Sequence, residues 1–151
     1  MINNPASNND NSQRMVMEQK INELAQQSRT LELYFNEVSS RESAVNKLME
    51  EARMASVSIQ NLSEQTTLNS LVPIGGGVYV QAQIPPTTKL LINVGADVVI
   101  EKNKQGTINF IEERIKEYEL ASRQLVSQKQ QISMRMEQIQ HQVNEHHINI
   151  V

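Results

Sequence analysis

The sequence predicts a mainly helical α+β fold, in which two long helices form an antiparallel coiled-coil hairpin and two β-hairpins lie between them. Two long stretches repeat apolar residues at alternating four- and three-residue steps, which is the spacing of a supercoiled helix seam. The segment between them contains short apolar runs separated by glycine and proline. Only 38% of the residues are apolar and 3% aromatic, which is little for a compact globule, so the pattern favours burial against partner chains.

The charge and residue counts argue against several classes of protein. The net charge is −3 and the chain has no basic block, so we expect no nucleic-acid binding. The lack of cysteine excludes disulfides, thiolate catalysis and cysteine-ligated zinc. The polar start, MINNPASNNDNSQ, does not resemble a signal peptide, and no apolar stretch is long enough to cross a bilayer. We therefore expect a cytoplasmic protein that does not bind membranes.

The first part of the chain divides into a tail and a helix. Residues 1–12 are polar and rich in Asn, so we expect them to be disordered. Residues 13–63 are expected to form the first coiled-coil helix, which at 1.5 Å per residue would be about 75 Å long. The predicted seam of this helix consists of Met17, Ile21, Leu24, Ser28, Leu31, Phe35, Val38, Glu42, Val45, Met49, Ala52, Ser56 and Ile59.

The middle of the chain, residues 64–106, is expected to form two consecutive β-hairpins that serve assembly. The predicted strands are Thr67–Pro73, Val78–Ile84, Lys89–Val94 and Val98–Glu101, with turns at residues 75–77, 85–87 and 95–97. Two isolated hairpins are marginally stable in water and expose unpaired edges. Apolar groups are expected on both faces and must be covered; they are Leu90, Leu91, Ile92, Val98, Val99 and Ile100. We therefore expect strands from several subunits to join into a shared β-structure.

The last part of the chain, residues 107–151, is expected to form the second coiled-coil helix. Gly106 is expected to end the insert, and Thr107 is a suitable N-cap for the helix. The predicted seam of this helix consists of Ile108, Ile111, Ile115, Tyr118, Ser122, Leu125, Lys129, Ile132, Met136, Ile139, Val143, His146 and Ile150.

Antiparallel pairing of the two seams suggests one register. If Leu31 lies opposite Met136, no polar seam residue faces another polar one. Glu42 and Lys129 then fall in neighbouring layers, where they can pair diagonally. Because a disulfide engineered between positions 31 and 136 requires this register, its formation tests the hypothesis.

The stretch from Leu71 to Lys102, LVPIGGGVYVQAQIPPTTKLLINVGADVVIEK, resembles the prefoldin family. It is similar to that family's strand, glycine-rich turn, V.A.I run, polar turn and final V..G....EK. The resemblance covers nearly all of the chain after residue 12. Because β-type members have one hairpin, the second hairpin, Lys89–Lys102, resembles the α-type, and the lack of extra domains resembles the archaeal members.

The resemblance implies an architecture and a function. It implies a hexamer of two α-type and four β-type subunits, whose hairpins form a β-barrel platform from which the coiled coils project. It also implies a chaperone that needs neither ATP nor another cofactor. Such proteins hold unfolded polypeptides at the coiled-coil tips, prevent their aggregation and transfer them to a group II chaperonin.

Two sets of candidate site residues follow from the pattern and the resemblance. The helix ends should meet at a tip, where apolar residues exceed those that the seam needs and where helices open locally at low cost. The client-binding candidates are Met15, Val16, Met17, Ile21, Leu24, Ile139, Val143, Ile148, Ile150 and Val151. The assembly candidates in the hairpins are Leu71, Val78, Val80, Ile84, Leu90, Ile92, Val94, Val98 and Ile100.

Other functions fit the sequence less well. A passive coiled-coil scaffold or tether, assembled through its hairpins, is the main alternative to a chaperone, although a scaffold does not need the extra apolar residues at the tip. An enzyme is not expected, because no nucleophile with a base and no acid–base pair can be identified. His141, His146 and His147 are interpreted as a solvated helix end, since their spacing does not place two histidines on one face.

Overall fold

The computed structural model describes the backbone of residues 5–86 and 89–148 and the side chains of residues 10–86 and 89–147. Two long helices flank four strands in this part of the chain. The elements are α1 (Pro5–Asn61), β1 (Leu68–Gly75), β2 (Val78–Ile84), β3 (Lys89–Gly95), β4 (Val98–Asn103) and α2 (Lys104–Ile148). This is the predicted mainly helical α+β architecture.

The first helix begins earlier than the sequence pattern indicates. It starts at Pro5, so residues 5–12, which we expected to belong to a disordered tail, are helical, whereas residues 1–4 lie outside the described residues. Proline suits the first position of a helix, because its φ is already helical and its missing N–H has no partner there. The polar composition that predicted a tail does not by itself exclude a helical extension.

The predicted seams are confirmed along both helices. Every seam position of α1, from Met17 to Ile59, is buried or half-buried. The same holds for α2 from Ile108 to His146, whereas Ile150 lies outside the described residues. Most positions between the seam residues are exposed, so the narrow stripe that the heptad spacing predicts is the surface that the helices bury.

The chain forms two compact units, each of which pairs parts of both helices. Of the described residues, one unit contains 5–44 and 121–148, and the other contains 45–86 and 89–120. The first unit pairs the early part of α1 with the late part of α2, and the second pairs the late part of α1 with the early part of α2. Antiparallel pairing of the helices requires this arrangement. The most deeply buried side chains are Leu24, Val38, Ile132 and Ile139 in the first unit, and Ala52, Ser56, Ile92, Thr107 and Ile108 in the second.

The start of the second helix corrects one prediction. Helix α2 begins at Lys104, and its N-cap is Asn103 rather than Thr107, because Asn103 Oδ1 accepts a 2.7 Å hydrogen bond from the Gly106 N–H. Gly106 therefore lies in the first turn and does not end the insert. Thr107 is buried, and its hydroxyl donates to the carbonyl of Asn103.

The four strands form two separate antiparallel hairpins, β1–β2 and β3–β4, within two residues of the predicted bounds. Each hairpin has an irregular register just before its turn. Both turns use three successive residues with positive φ, Gly75–Gly77 and Gly95–Asp97. Ala96 and Asp97 thus adopt the left-handed conformation that glycines provide in the first hairpin. The predicted turn at residues 85–87 lies partly outside the described residues.

Candidate assembly and client-binding surfaces

The first hairpin presents one apolar face. Leu68 lies opposite Ile84, and Val72 lies opposite Val80, so four apolar side chains form two cross-strand pairs. Cross-strand pairs of this kind are the unit of sheet stabilisation. Val72 and Val80 are nevertheless exposed, because no other element of residues 5–86 and 89–148 covers them.

The predicted assembly residues lie mostly on exposed surface. Leu71, Val78, Val80, Val94 and Val98 are exposed apolar residues. Ile84, Leu90 and Ile100 are half-buried, and Ile92 is the buried member of this set.

Several exposed apolar strand residues are not among the predicted assembly residues. They are Leu68, Val72, Ile74, Tyr79, Leu91 and Val99, of which Leu91 is 70% exposed. Leu68 and Val72 lie on the same face as the predicted residues Val80 and Ile84. In the second hairpin, Leu91 and Val99 lie on the face opposite that of Ile92 and Ile100. The runs Leu90–Ile92 and Val98–Ile100 carried the signal for two-sided burial, because continuous apolar runs are typical of strands covered on both faces.

A second candidate surface lies where the early part of α1 meets the late part of α2. An open groove of about 750 Å³ has Val16 and Met17 as its apolar residues and His146 as its contribution from α2. Its other lining residues are polar or charged: Ser12, Gln13, Gln19, Lys20 and Glu23. The groove therefore combines two apolar side chains with polar and charged ones, which together form its polar rim.

The predicted client-binding residues fall into three groups. Met15 and Val16 are 64% and 67% exposed, whereas Leu24 and Ile139 are 2% and 1% exposed, so the last two reach another molecule only if the helices separate locally. Half-buried seam residues form the second group: Met17, Ile21 and Val143. The side chain of Ile148 and residues Ile150 and Val151 lie outside the described residues.

The polar rim of the groove was not predicted as part of a site. His146 was predicted as a seam position and also as part of a solvated helix end; it is half-buried and lines the groove. Lys20 and Glu23 form a loose ion pair with 4.0 Å between charged atoms. Their three-residue spacing on a helix was the available signal.

The predicted diagonal ion pair is present in the seam. Lys129 Nζ lies 2.7 Å from Glu42 Oε2, and these side chains are only 28% and 18% exposed. The same ammonium lies 5.4 Å from the centre of the Phe35 ring. Partial burial with two favourable contacts distinguishes this pair from the exposed ion pairs on the helix surfaces.

The histidines do not form a cluster. His141 Nδ1 lies 3.4 Å from Glu145 Oε1, one helical turn away, as their shared face predicts. Within the described ranges no three His, Asp or Glu side chains come together as a possible metal site. In the same part of the chain, neither helix has a window apolar enough to cross a membrane.

Comparison with known proteins gives the same architecture. A family model described as Prefoldin subunit matches residues 17–148. Prefoldin subunit alpha of Nitrosopumilus maritimus is 40% identical over 128 residues, which cover 85% of this chain and 88% of that protein. Prefoldin subunit alpha of Methanospirillum hungatei is 29% identical over 118 residues, covering 74% of this chain and 79% of that protein.

A solved structure shows the same fold. A chain in the cryo-EM structure of filamentous PFD from Methanocaldococcus jannaschii has a TM-score of 0.61 and 18% identity. The match covers 82% of this chain and 98% of that chain. At this identity the likeness establishes the fold alone.

A coiled-coil helical hairpin with apolar β-hairpins between its helices defines a class of proteins that bury their strands through assembly. The chain belongs to the prefoldin family, and within it the relatives it matches are α subunits. Prefoldins are known as a family of chaperones or scaffolds.

Proposed function

We propose that this chain is the α-type subunit of an ATP-independent holdase, which binds unfolded polypeptides through the helix ends, prevents their aggregation and transfers them to a group II chaperonin. The observation that carries the proposal is the exposed pair Met15 and Val16, of which Val16 lines a groove together with Met17. A passive coiled coil has no need for exposed apolar residues there, because its seam uses other positions.

The groove has the chemistry that a transient polypeptide site requires. A methionine side chain is flexible and polarizable, so it adapts to client side chains of different shapes. Burying one apolar side chain contributes about 1.5–3 kcal/mol before ordering costs, so one tip binds weakly. Several tips acting on one client raise the avidity without new kinds of contact, and release needs no nucleotide.

The hairpins support assembly with other subunits. Val72, Val80, Leu91 and Val99 expose apolar surface that a neighbouring hairpin would cover. We propose that β-type subunits supply those strands, in a hexamer of two α-type and four β-type subunits built on a β-barrel platform. The cytoplasm is the proposed location, since a group II chaperonin and unfolded chains must be available there.

The test replaces the exposed apolar pair and compares it with a matched pair on the same helix. Met15→Ser with Val16→Ser removes the proposed contacts, whereas Met54→Ser with Val57→Ser changes two similarly exposed residues outside the groove, each 57% exposed. Each variant is assembled with its natural partner subunits and mixed with a chemically unfolded client without nucleotide. Light scattering measures aggregation, and analytical ultracentrifugation measures assembly size.

We expect the first variant to lose most of its suppression of aggregation and the control to retain it, with unchanged assembly size in both. Truncation of residues 1–16 and 144–151 should have a larger effect in the same direction. If suppression survives both changes, the tip mechanism is wrong. If the intact assembly never suppresses aggregation, the scaffold or tether function is favoured instead.

A further inference from the structure

We propose that the Glu42–Lys129 ion pair is the element that selects one register for the two paired helices. The two residues occupy seam positions, where apolar side chains are otherwise expected, and their charged atoms are 2.7 Å apart. A polar pair in a coiled-coil seam rarely adds stability over apolar residues of similar size, but a polar seam residue can specify alignment. This role does not depend on what the helix ends bind.

The remaining seam specifies the register weakly. Apolar residues recur at heptad spacing along both helices, so displacement of α2 by one heptad again places apolar residues opposite one another. Small or polar seam residues such as Ser28 tolerate many opposite neighbours. The helices are joined through a long segment, residues 62–103, rather than through a short turn that would set their alignment. Two other polar contacts join the end of α1 to the start of α2: Arg53 with Glu119, and Lys104 with the carbonyls of Gln60 and Leu62. The Glu42–Lys129 pair differs from them in occupying seam positions.

The direction of the side chains makes the pair sensitive to displacement. Side chains on a helix lean toward its N-terminus, so in an antiparallel pair they lean in opposite directions. In the predicted register Glu42 lies about one helical turn from the level of Lys129, and their side chains lean toward each other. The observed contact between the two charged groups is the result.

Displacement by one heptad in either direction breaks the pair. In one direction Glu42 moves opposite Ile132, and the two charged side chains then lean away from each other. In the other direction Lys129 moves opposite Leu31, and the two residues are roughly 16 Å apart along the axis at 1.5 Å per residue. Each displacement leaves two unpaired charges against apolar side chains, which is costly.

The contact between Lys129 and Phe35 strengthens the selection. The ammonium lies 5.4 Å from the ring centre, within the range of a cation–π interaction. Phe35 is itself a half-buried seam residue, so its ring moves with the register of α1. Lys129 therefore has two partners on α1. Displacement that places Lys129 opposite Val45 removes both, whereas displacement that places it opposite Leu31 removes Glu42 and brings Phe35 to the level that Glu42 holds in the predicted register.

Cross-linking of cysteine pairs measures the register directly, because the natural chain has no cysteine. Leu31→Cys with Met136→Cys reports the predicted register. Leu31→Cys with Val143→Cys, and Leu24→Cys with Met136→Cys, report displacement by one heptad in the two directions. Each reporter is placed in the full chain, assembled with its partner subunits, and oxidised under identical conditions.

The reporters are compared in four backgrounds. These are the natural pair, the apolar replacement Glu42→Leu with Lys129→Leu, the exchanged pair Glu42→Lys with Lys129→Glu, and a control, Glu37→Gln with Arg41→Gln. The control removes an exposed ion pair within α1 that carries no information about register. The apolar replacement leaves a fully hydrophobic layer, so we expect the helices to remain folded.

With the natural pair and with the control, we expect cross-linking at 31–136 to predominate. The apolar replacement should raise cross-linking of at least one displaced reporter several-fold, and the exchanged pair should largely restore the predicted register. If the apolar replacement keeps the cross-linking pattern of the natural pair, the proposal is overturned. Displaced cross-links that rise equally in the control would also overturn it.

Discussion

The ammonium of Lys104, the first residue of α2, donates a 2.8 Å hydrogen bond to the carbonyl of Leu62, just beyond the end of α1. The same ammonium donates a 2.9 Å hydrogen bond to the carbonyl of Gln60. The last turn of α1 has no basic residue of its own to meet these carbonyls. One lysine at the base of the hairpins therefore connects the end of one helix to the start of the other.

Replacing Lys104 should destabilise the base of the hairpins. Lys104→Met removes two charge-assisted hydrogen bonds, but the released carbonyls can bind water, so we expect a loss of about 1–2 kcal/mol in the free energy of unfolding. Chemical denaturation of the assembled protein measures it. The control is Lys116→Met, which removes an exposed ion pair with Glu113 and should change stability little. Equal losses in the two variants would contradict the prediction.

Replacing alanine by glycine in the second turn and glycine by alanine in the first turn should change the stability of the protein in opposite directions. Ala96 has a φ of 49°, and Gly76 has a φ of 60°. This conformation costs a residue with a Cβ roughly 1–2 kcal/mol. That cost is larger than the free energy that glycine loses through its greater conformational entropy in the unfolded chain. We therefore expect Ala96→Gly to stabilise the protein by about 0.5–1 kcal/mol and Gly76→Ala to destabilise it by a similar amount. Thermal unfolding midpoints that shift in the same direction would contradict this.

The identity of the N-cap can be tested at Asn103. Asn103→Ala removes the side-chain oxygen that accepts from the Gly106 N–H, so we expect a loss of about 1 kcal/mol. Asn103→Asp keeps an acceptor and should retain most of the stability. Gly106→Ala should displace the cap, because an added Cβ would lie 2.8 Å from Asn103 Oδ1. Unchanged denaturation curves for Asn103→Ala would contradict the assignment.

Charges on the exposed hairpin face should prevent assembly without unfolding the helices. Val72→Asp with Val80→Asp places two like charges on a surface that we propose to be covered by another subunit. We expect the chain to elute as a smaller species that no longer co-purifies with its partners. Leu33→Asp, at an exposed helix position, is the control and should assemble normally. An assembly of normal size from the double variant would rule out this face as an interface.

Local and periodic features were predictable from the sequence because they depend on spacing. The seams from Met17 to Ile59 and from Ile108 to His146 were predicted position by position, since heptad spacing alone decides which side of a helix is apolar. The strand bounds and two turns were predicted within two residues, because glycine and alternating apolar residues restrict the backbone directly.

The predictions that were wrong or incomplete concern features that depend on which residues become neighbours in the folded chain. Asn103 and Thr107 are both suitable caps, and only the folded backbone shows which one meets an N–H group. Leu68 and Val72 were not among the predicted assembly residues, and only the pairing of β1 with β2 shows that they share a face with Ile84 and Val80.

By itself, the sequence determined the two helices, their seams, the two hairpins and the excess of apolar residues near the chain ends. The tertiary structure decided how exposed each of these apolar side chains is. It buries Leu24 and Ile139, leaves Met15 and Val16 exposed, and brings His146 beside Met17 in one groove. The physical reason is that spacing along a chain sets which face a side chain occupies, whereas its exposure depends on residues that only packing brings next to it.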